Sequence, residues 1–342
     1  MKASRKRAAD KNRKKNVAGG TADMALAIGA RKLHEGRQFM YEASKKYNSQ
    51  FIDARTGLCK KEYLETRACP VCASNRHREL FIKGGGRHVM CQKCEMVFLN
   101  PVFTDVALTI FYSGNVATTA RLVANESDHS RRIYAKGLST IRKFRRSGTM
   151  MDVGCSGGFF LDVAKDAGWK TVGVELNKAE ATEATRKHEV YVASIQTLNL
   201  DKRYDVITMW DVLEHIKDGR ATLRLLAKKY LQRGGLVFLQ IPNVRALAPR
   251  LMQEKSKMFD GIEHVNLYSP KTISLLAKKS GFDVVHLETV ISEIPIIANY
   301  LDYQDPYLGE ACHDGKVLGL IDEKTLHKNL LGYKMQIVLR LK

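Results

Sequence analysis

Residues 150–161 read Met-Met-Asp-Val-Gly-Cys-Ser-Gly-Gly-Phe-Phe-Leu. An apolar run ends in an acid, crosses a turn with three glycines, and continues through Phe159, Leu161, Val163 and Ala164 at near-helical spacing. This predicts strand, tight turn and helix. The turn needs glycine because its backbone must reach positive φ and let a ligand approach its amides with no Cβ in the way. The amides that open the helix favour an anionic or polar group. About twenty residues on, Thr171-Val172-Gly173-Val174 ends in Glu175. A carboxylate at the tip of a second strand accepts hydrogen bonds from both hydroxyls of a ribose, so turn and acid together point to a ribose-containing cofactor.

A dinucleotide site would read Gly-x-Gly-x-x-Gly against a pyrophosphate. Here Asp152 stands two residues before Gly154; it would repel a pyrophosphate and could hold a cationic amino group. The acid followed by Gly-Cys-Ser-Gly-Gly resembles the first motif of the class I S-adenosylmethionine-dependent methyltransferases, with Ser156 in place of the middle glycine. The resemblance implies that Asp152 and the backbone of Gly154, Ser156 and Gly158 hold the methionine part and that Glu175 takes the ribose. It sets Ser194 and Ile195 against the adenine, where the family often has an acid that this chain lacks. It sets Trp210 and Asp211 beside the cofactor near the methyl group. The run Tyr204 to His215 resembles the fourth-strand motif of the methyltransferases that include the ubiquinone-biosynthesis O-methyltransferases, and Gly234 to Asn243 resembles their turn and fifth strand.

Two histidines are candidate general bases, since a near-neutral pKa suits proton removal from a hydroxyl or an enolisable carbon. His215 ends the Leu-Glu-His segment and could instead cap a helix; His264 lies in a segment expected to cover the substrate and could instead brace a loop. Cys155, inside the turn, reads as a small side chain rather than a nucleophile.

Seven cysteines are present, four of them as Cys69-x-x-Cys72 and Cys91-x-x-Cys94. Two such knuckles can converge four thiolates on one tetrahedral Zn²⁺, the arrangement of a zinc ribbon, and a site closed by four sulfurs is structural rather than catalytic. Gly84-Gly85-Gly86 between them predicts the hairpin tip, with strands at Leu80–Ile82 and His88–Met90. Cys59 reads as a buried thiol outside the set. A ribbon followed by Phe98-Leu99-Asn100-Pro101 and then a methyltransferase domain is similar to bacterial methyltransferases of sugar, glycan and small-molecule biosynthesis.

These groups need a scaffold, and the predicted fold is α/β: a Rossmann-like seven-stranded methyltransferase sheet preceded by a small zinc ribbon. Strands are expected near 149–154, 170–175, 189–193, 204–209 and 235–241, with a sixth opening at Phe282 and an antiparallel last strand over Tyr333–Leu341. Ser269-Pro270 predicts a capped helix start. The expected organisation is a disordered basic tail (1–20), a helical N-terminal segment (21–66), the ribbon (67–104), a helical linker (105–147) and the methyltransferase domain (148–342), with insertions at 244–268 and 291–331.

The chain has 342 residues and a net charge of +20, with eight Lys or Arg against one acid in residues 1–15. Such a balance suits an acidic partner, whether RNA, an anionic membrane surface or a phosphorylated substrate; a basic tail with a solvated surface accounts for it equally. No apolar run approaches the roughly eighteen residues of a membrane span, which suggests a cytoplasmic location. The leading expectation is methyl transfer to a small-molecule or glycan and nucleotide-sugar acceptor, its acceptor atom open. The alternatives are an RNA methyltransferase docked by ribbon and tail, and a non-catalytic zinc-ribbon scaffold.

Overall fold

The computed structural model describes residues 46–113, 128–294 and 322–342. The basic tail, nearly all of the helix expected over 23–48 and most of the insertion 291–331 lie outside the described residues. Among them, no helix is long and apolar enough to cross a membrane.

The Cys-rich segment folds as a hairpin, β2 (His77–Lys83) and β3 (Gly86–Cys91), joined by the short β4 (Val97–Leu99). The main sheet has seven strands: β6 (Thr149–Val153), β7 (Lys170–Glu175), β8 (Val190–Val192), β9 (Tyr204–Trp210), β10 (Leu231–Pro242), β12 (Phe282–Val290) and β13 (Lys334–Leu341). Their spatial order is β12-β13-β10-β9-β6-β7-β8. Strands β6 to β10 run parallel, and β13 lies antiparallel to both β10 and β12. This is the Rossmann-like methyltransferase topology, with its reversed last strand between the fifth and the sixth. The helix Pro270–Lys279 opens as its sequence predicts, with the Ser269 hydroxyl accepting the Thr272 amide and proline in the first turn.

Two expected boundaries shift. The described part of the segment 21–66 is not helical beyond Lys46–Asn48: it contains two 3₁₀ turns and β1 (Leu64–Glu65), which pairs with β5 (Val102–Phe103). Asp53 breaks any helix here, its carboxylate accepting the amides of Arg55 and Thr56 in a local turn. The second shift concerns residues 244–268. They contribute β11 (Asn266–Leu267), which pairs with β4, so the ribbon sheet runs β11-β4-β3-β2 and draws one strand from the methyltransferase half of the chain.

The two parts share one core. Val71, Met96 and Phe98 of the ribbon are fully buried in the same apolar cluster as Met151, Ile207, Met209, Leu239, Tyr268 and Ile273. Each such side chain contributes on the order of 1.5–3 kcal/mol through apolar burial. Helices cover the opposite sheet face, where Leu138, Ile141, Phe160 and Trp169 pack on Met150, Val206 and Phe238. The half-buried Arg67 at the junction donates from its guanidinium to the carbonyls of Leu99 (3.2 Å), Lys217 (2.9 Å) and Val265 (2.6 Å) and to Asn266 Oδ1 (3.1 Å). Arg67→Ala orphans these acceptors, and a loss of roughly 3 kcal/mol or more is expected from the usual cost of unsatisfied buried groups. Urea denaturation of the variant, followed by tryptophan and far-UV signals, checks this against the wild-type midpoint.

Candidate active site and zinc site

The Gly-rich turn sits at the carboxyl end of β6, where parallel α/β sheets hold ligands. The amides of Gly154 and Cys155 both donate to the Val174 carbonyl (2.7 and 3.2 Å), tying the turn to the end of β7. A Cβ on Gly154, at φ +77°, would fall 2.4 Å from Val212 Cγ2, so only glycine lets this turn lie against the end of β9. Ser156 adopts φ +45°, which explains why the family's middle position is ordinarily glycine. It is held by its amide to Glu175 Oε2 (3.0 Å) and its hydroxyl to Glu180 Oε2 (3.1 Å).

Glu175 ends β7 and is 8% exposed. Its other oxygen accepts the Asn177 amide at 2.8 Å. Burial raises its pKa, opposed by those amides. Asp152 lies one strand over, enclosed, with Oδ1 accepting the Thr208 hydroxyl at 2.6 Å. Burial lifts its carboxyl to about 8; the Thr208 bond opposes this and the charge of Glu175 adds to it. Two buried acids with no basic partner between them among the described residues fit a ligand that brings a positive charge, as the ammonium and sulfonium of S-adenosylmethionine do.

Ser194 follows β8; its hydroxyl donates to Gln196 Oε1, and Ile195 is buried in the core beneath it. The Trp210 indole packs with Tyr134, Phe160 and Phe238, at ring centroid distances of 4.9, 4.8 and 4.7 Å. The two-residue period of β9 sends Ile207 and Met209 to the ribbon side and Val206 and Trp210 to the helix side. Asp211, at φ +56°, leaves the strand, and its carboxylate accepts Lys334 Nζ (2.8 Å) and Gln240 Nε2 (3.3 Å).

The structure brings His215 and His264 together, their ring centroids 5.0 Å apart. His215 Nδ1 lies 3.0 Å from the Glu263 carbonyl, to which it can only donate, so Nε2 is the basic nitrogen. His264 Nδ1 faces the Met258 carbonyl (2.7 Å) and Asp260 Oδ2 (2.9 Å). Burial alone would depress the His264 pKa, yet the Asp260 carboxylate outweighs it and lifts it to about 9. The Asp260 carboxylate thus favours the charged form of His264, beside His215. Sequence reading missed Glu214. It is 1% exposed, neither oxygen accepts a hydrogen bond among the described residues, and burial and Asp211 push it to about 7 against the pull of Lys334 and His264. Glu214, His215 and His264 offer ligand atoms within 4.8 Å of one another, a spacing that could hold a divalent cation. Lys334 and Asp260 were also missed, because nothing local in the sequence links them to these residues.

The four ribbon cysteines place their sulfurs within 4.8 Å of one another, with Cys69–Cys94 and Cys72–Cys91 at 3.5 Å. Sulfurs about 2.3 Å from a tetrahedral zinc stand about 3.8 Å apart, so the set fits the ion. The two knuckles repeat one backbone design. In each, the residue after the second cysteine (Ala73, Glu95) has positive φ and donates to the carbonyl of the first cysteine, whose own amide bonds five residues on, to Ser74 and Met96. Cys59 is buried outside the cluster and Cys155 is buried beneath the turn.

The sequence model of a family described as "Methyltransferase domain" matches residues 127–287. The described residues of that span carry the turn, the two acids and β6 to β10, so the part of the chain that builds the candidate site is the part similar to a methyltransferase domain. Among curated relatives, the ubiquinone biosynthesis O-methyltransferase of Nitrosospira multiformis is 26% identical over 158 residues, covering 40% of this chain and 62% of that protein. Its Serratia proteamaculans counterpart is 33% identical over 105 residues, covering 28% and 43%. The chain thus spans less than two thirds of either relative. A solved S-adenosylmethionine-dependent methyltransferase from Archaeoglobus fulgidus superposes with a TM-score of 0.43 and 19% identity, over 61% of this chain and 93% of that one.

The sign of the His264–Asp260 linkage is fixed. The folded pKa of His264, about 9, exceeds the unfolded value of about 6.5. The pair's contribution is therefore whole below about 6.5 and lost as pH rises through about 9, at most roughly 3 kcal/mol. Stability measured by urea melts from pH 6 to 9.5 should fall in the wild type, and Asp260→Asn should flatten that dependence.

Proposed function

We propose that this protein is an S-adenosylmethionine-dependent methyltransferase acting on a small-molecule acceptor. The observation that carries the reading is the Glu175 carboxylate at the end of β7, bonded to the Ser156 amide of the Gly-rich turn at 3.0 Å. The family match and the relatives named as O-methyltransferases support it. Bound, the cofactor supplies an electrophilic methyl group on a sulfonium. Glu175 would hold its ribose, the turn its methionine part, and Asp152, when ionised, would attract its ammonium through the turn. His215 Nε2 would accept the proton of the acceptor group as the methyl bond forms, with Glu214 and the cationic His264 and Lys334 setting the local potential. The ribbon would carry structural Zn²⁺ on Cys69, Cys72, Cys91 and Cys94.

A nucleotide-sugar acceptor is the finer form of this reading that we favour for a first substrate screen, beside hydroxylated aromatics; short RNA serves as the competing substrate. Calorimetry with S-adenosylhomocysteine should show binding that Glu175→Ala weakens at least tenfold, about 1.4 kcal/mol. Because Asp152 carries a proton up to about 8 in the free protein and a bound cation favours its ionised form, affinity should rise between pH 6.5 and 8.5. Proton release should appear as a dependence of the heat on buffer ionisation enthalpy. A flat affinity over this range would remove Asp152 from the site. With an acceptor found, His215→Ala should lower kcat by about 10²–10⁴, the usual share of a general base. Metal analysis should return one zinc per chain, lost in Cys94→Ser.

A further inference from the structure

Between the Gly-rich turn and the helix that follows β7, hydrogen bonds form a closed circuit through Ser156. Its amide donates to Glu175 Oε2 (3.0 Å), and Glu175 Oε1 accepts the Asn177 amide (2.8 Å). Asn177 caps the helix Lys178–Lys187, its Oδ1 accepting the amides of Ala179 (2.9 Å) and Glu180 (3.3 Å). Glu180 Oε2 accepts the Ser156 hydroxyl (3.1 Å), which closes the circuit.

The run Asn177-Lys178-Ala179-Glu180 has the spacing of a capping box, in which the third helical residue turns its carboxylate back to the amide of the cap. Here that amide bonds to Glu175 instead, and the Glu180 carboxylate reaches across to the turn. Glu180 is buried with Ala181 and Ala184 on the inner face of the helix, while Glu183, Arg186 and Lys187 are exposed. A buried glutamate needs partners for its desolvated oxygens, and the serine hydroxyl is one.

Ser156 has a matching need. Its φ of +45° lies in the left-handed region, which disfavours any residue with a Cβ. Glycine adopts that conformation without help; serine holds it here with its amide on one carboxylate and its hydroxyl on another. The two acids repel, since the charge of Glu180 adds to burial in raising the Glu175 carboxyl. Ser156 stands between them with a donor for each. The same helix meets the turn again at Gly158, where a Cβ would fall 3.1 Å from that of Ala184.

We propose that Glu180 is a positioning residue of the cofactor site, acting through the Ser156 hydroxyl on the Ser156 amide and Glu175. The serine and glutamate together then do what a glycine does alone: they keep the turn in its left-handed conformation and the Glu175 carboxylate fixed beside it. The proposal rests on the methyl-transfer reading for the identity of the ligand, and on the circuit for the rest.

The test uses the full zinc-loaded chain with Glu180→Ala, Glu180→Gln, Ser156→Ala and Ser156→Gly, singly and in combination. Calorimetry reads the affinity for S-adenosylhomocysteine, and NMR reads the exchange rate of the residue-156 amide in the ligand-free protein. Glu180→Ala should weaken affinity and speed exchange, each ~10-fold, the effect of one lost charge-assisted hydrogen bond. Glu180→Gln, which removes the charge and keeps an acceptor oxygen, should stay within ~3-fold on both. Ser156→Ala should match Glu180→Ala, and the two combined should lose no more than either alone. In the Ser156→Gly background, Glu180→Ala should change neither readout, a result that a residue serving only the helix would not give. Wild-type affinity and exchange in Glu180→Ala would overturn the proposal. So would an equal loss in the Ser156→Gly background, because Glu180 would then act on the ligand or the helix directly. If the wild type binds no S-adenosylhomocysteine, the methyl-transfer reading fails, and the exchange rates still decide whether Glu180 holds the turn.

Discussion

The Arg67 guanidinium is the constraint on which the rest of the molecule depends. Its charge is half-buried where β4, β11 and the turn after β9 meet, and four oxygens from three segments converge on it. Those oxygens belong to the ribbon (Leu99), to the turn that carries His215 (Lys217) and to the loop that carries His264 (Val265, Asn266). One side chain thus sets the relative position of zinc site, candidate base and charged partner. The plane of its fork gives the direction that apolar packing alone does not.

Around that junction the charges are arranged in two layers. The deeper layer is acidic: Asp152 and Glu175 lie near the ends of adjacent parallel strands, desolvated and raised, with the Thr208 hydroxyl on Asp152 and the Ser156 turn amide on Glu175. The outer layer pairs acids with cations, Asp211 with Lys334 and Asp260 with His264. Glu214 stands between, taking charge from both cations and a hydrogen bond from neither. A carboxylate in that position has its proton balanced near neutrality, and so has a use in any reaction that moves one proton as a methyl group arrives.

Much of this was legible in the sequence, for physical reasons that differ from residue to residue. The Gly-rich turn and Glu175 showed because the strand-turn-helix unit is local and its residue types are few. The cysteine pairs showed because tetrahedral coordination imposes spacing. The parallel strands showed because they read as apolar runs, and the last, antiparallel strand showed because its residues alternate. The contribution of Asn266–Leu267 to the ribbon sheet did not, since a two-residue strand has no period. The aromatic packing of Trp210 on the helix side did not show either, because the sequence names a strand end without saying which face each residue takes. Glu214, Asp260 and Lys334 were passed over because their environment comes from segments far apart in the chain, and a lone acid or lysine reads as surface until tertiary structure buries it.

The pairing of β11 with β4 joins residues 266–267 to residues 97–98. During synthesis the ribbon would leave the ribosome with its metal ligands complete and one edge of its sheet bare, for the time taken to make about 170 further residues, roughly ten to thirty seconds at ordinary elongation rates. An unpaired strand edge in a nascent chain is a template for wrong partners. That edge is therefore the last part of the ribbon sheet to be completed, and the strand that follows the loop carrying His264 is the piece that closes it.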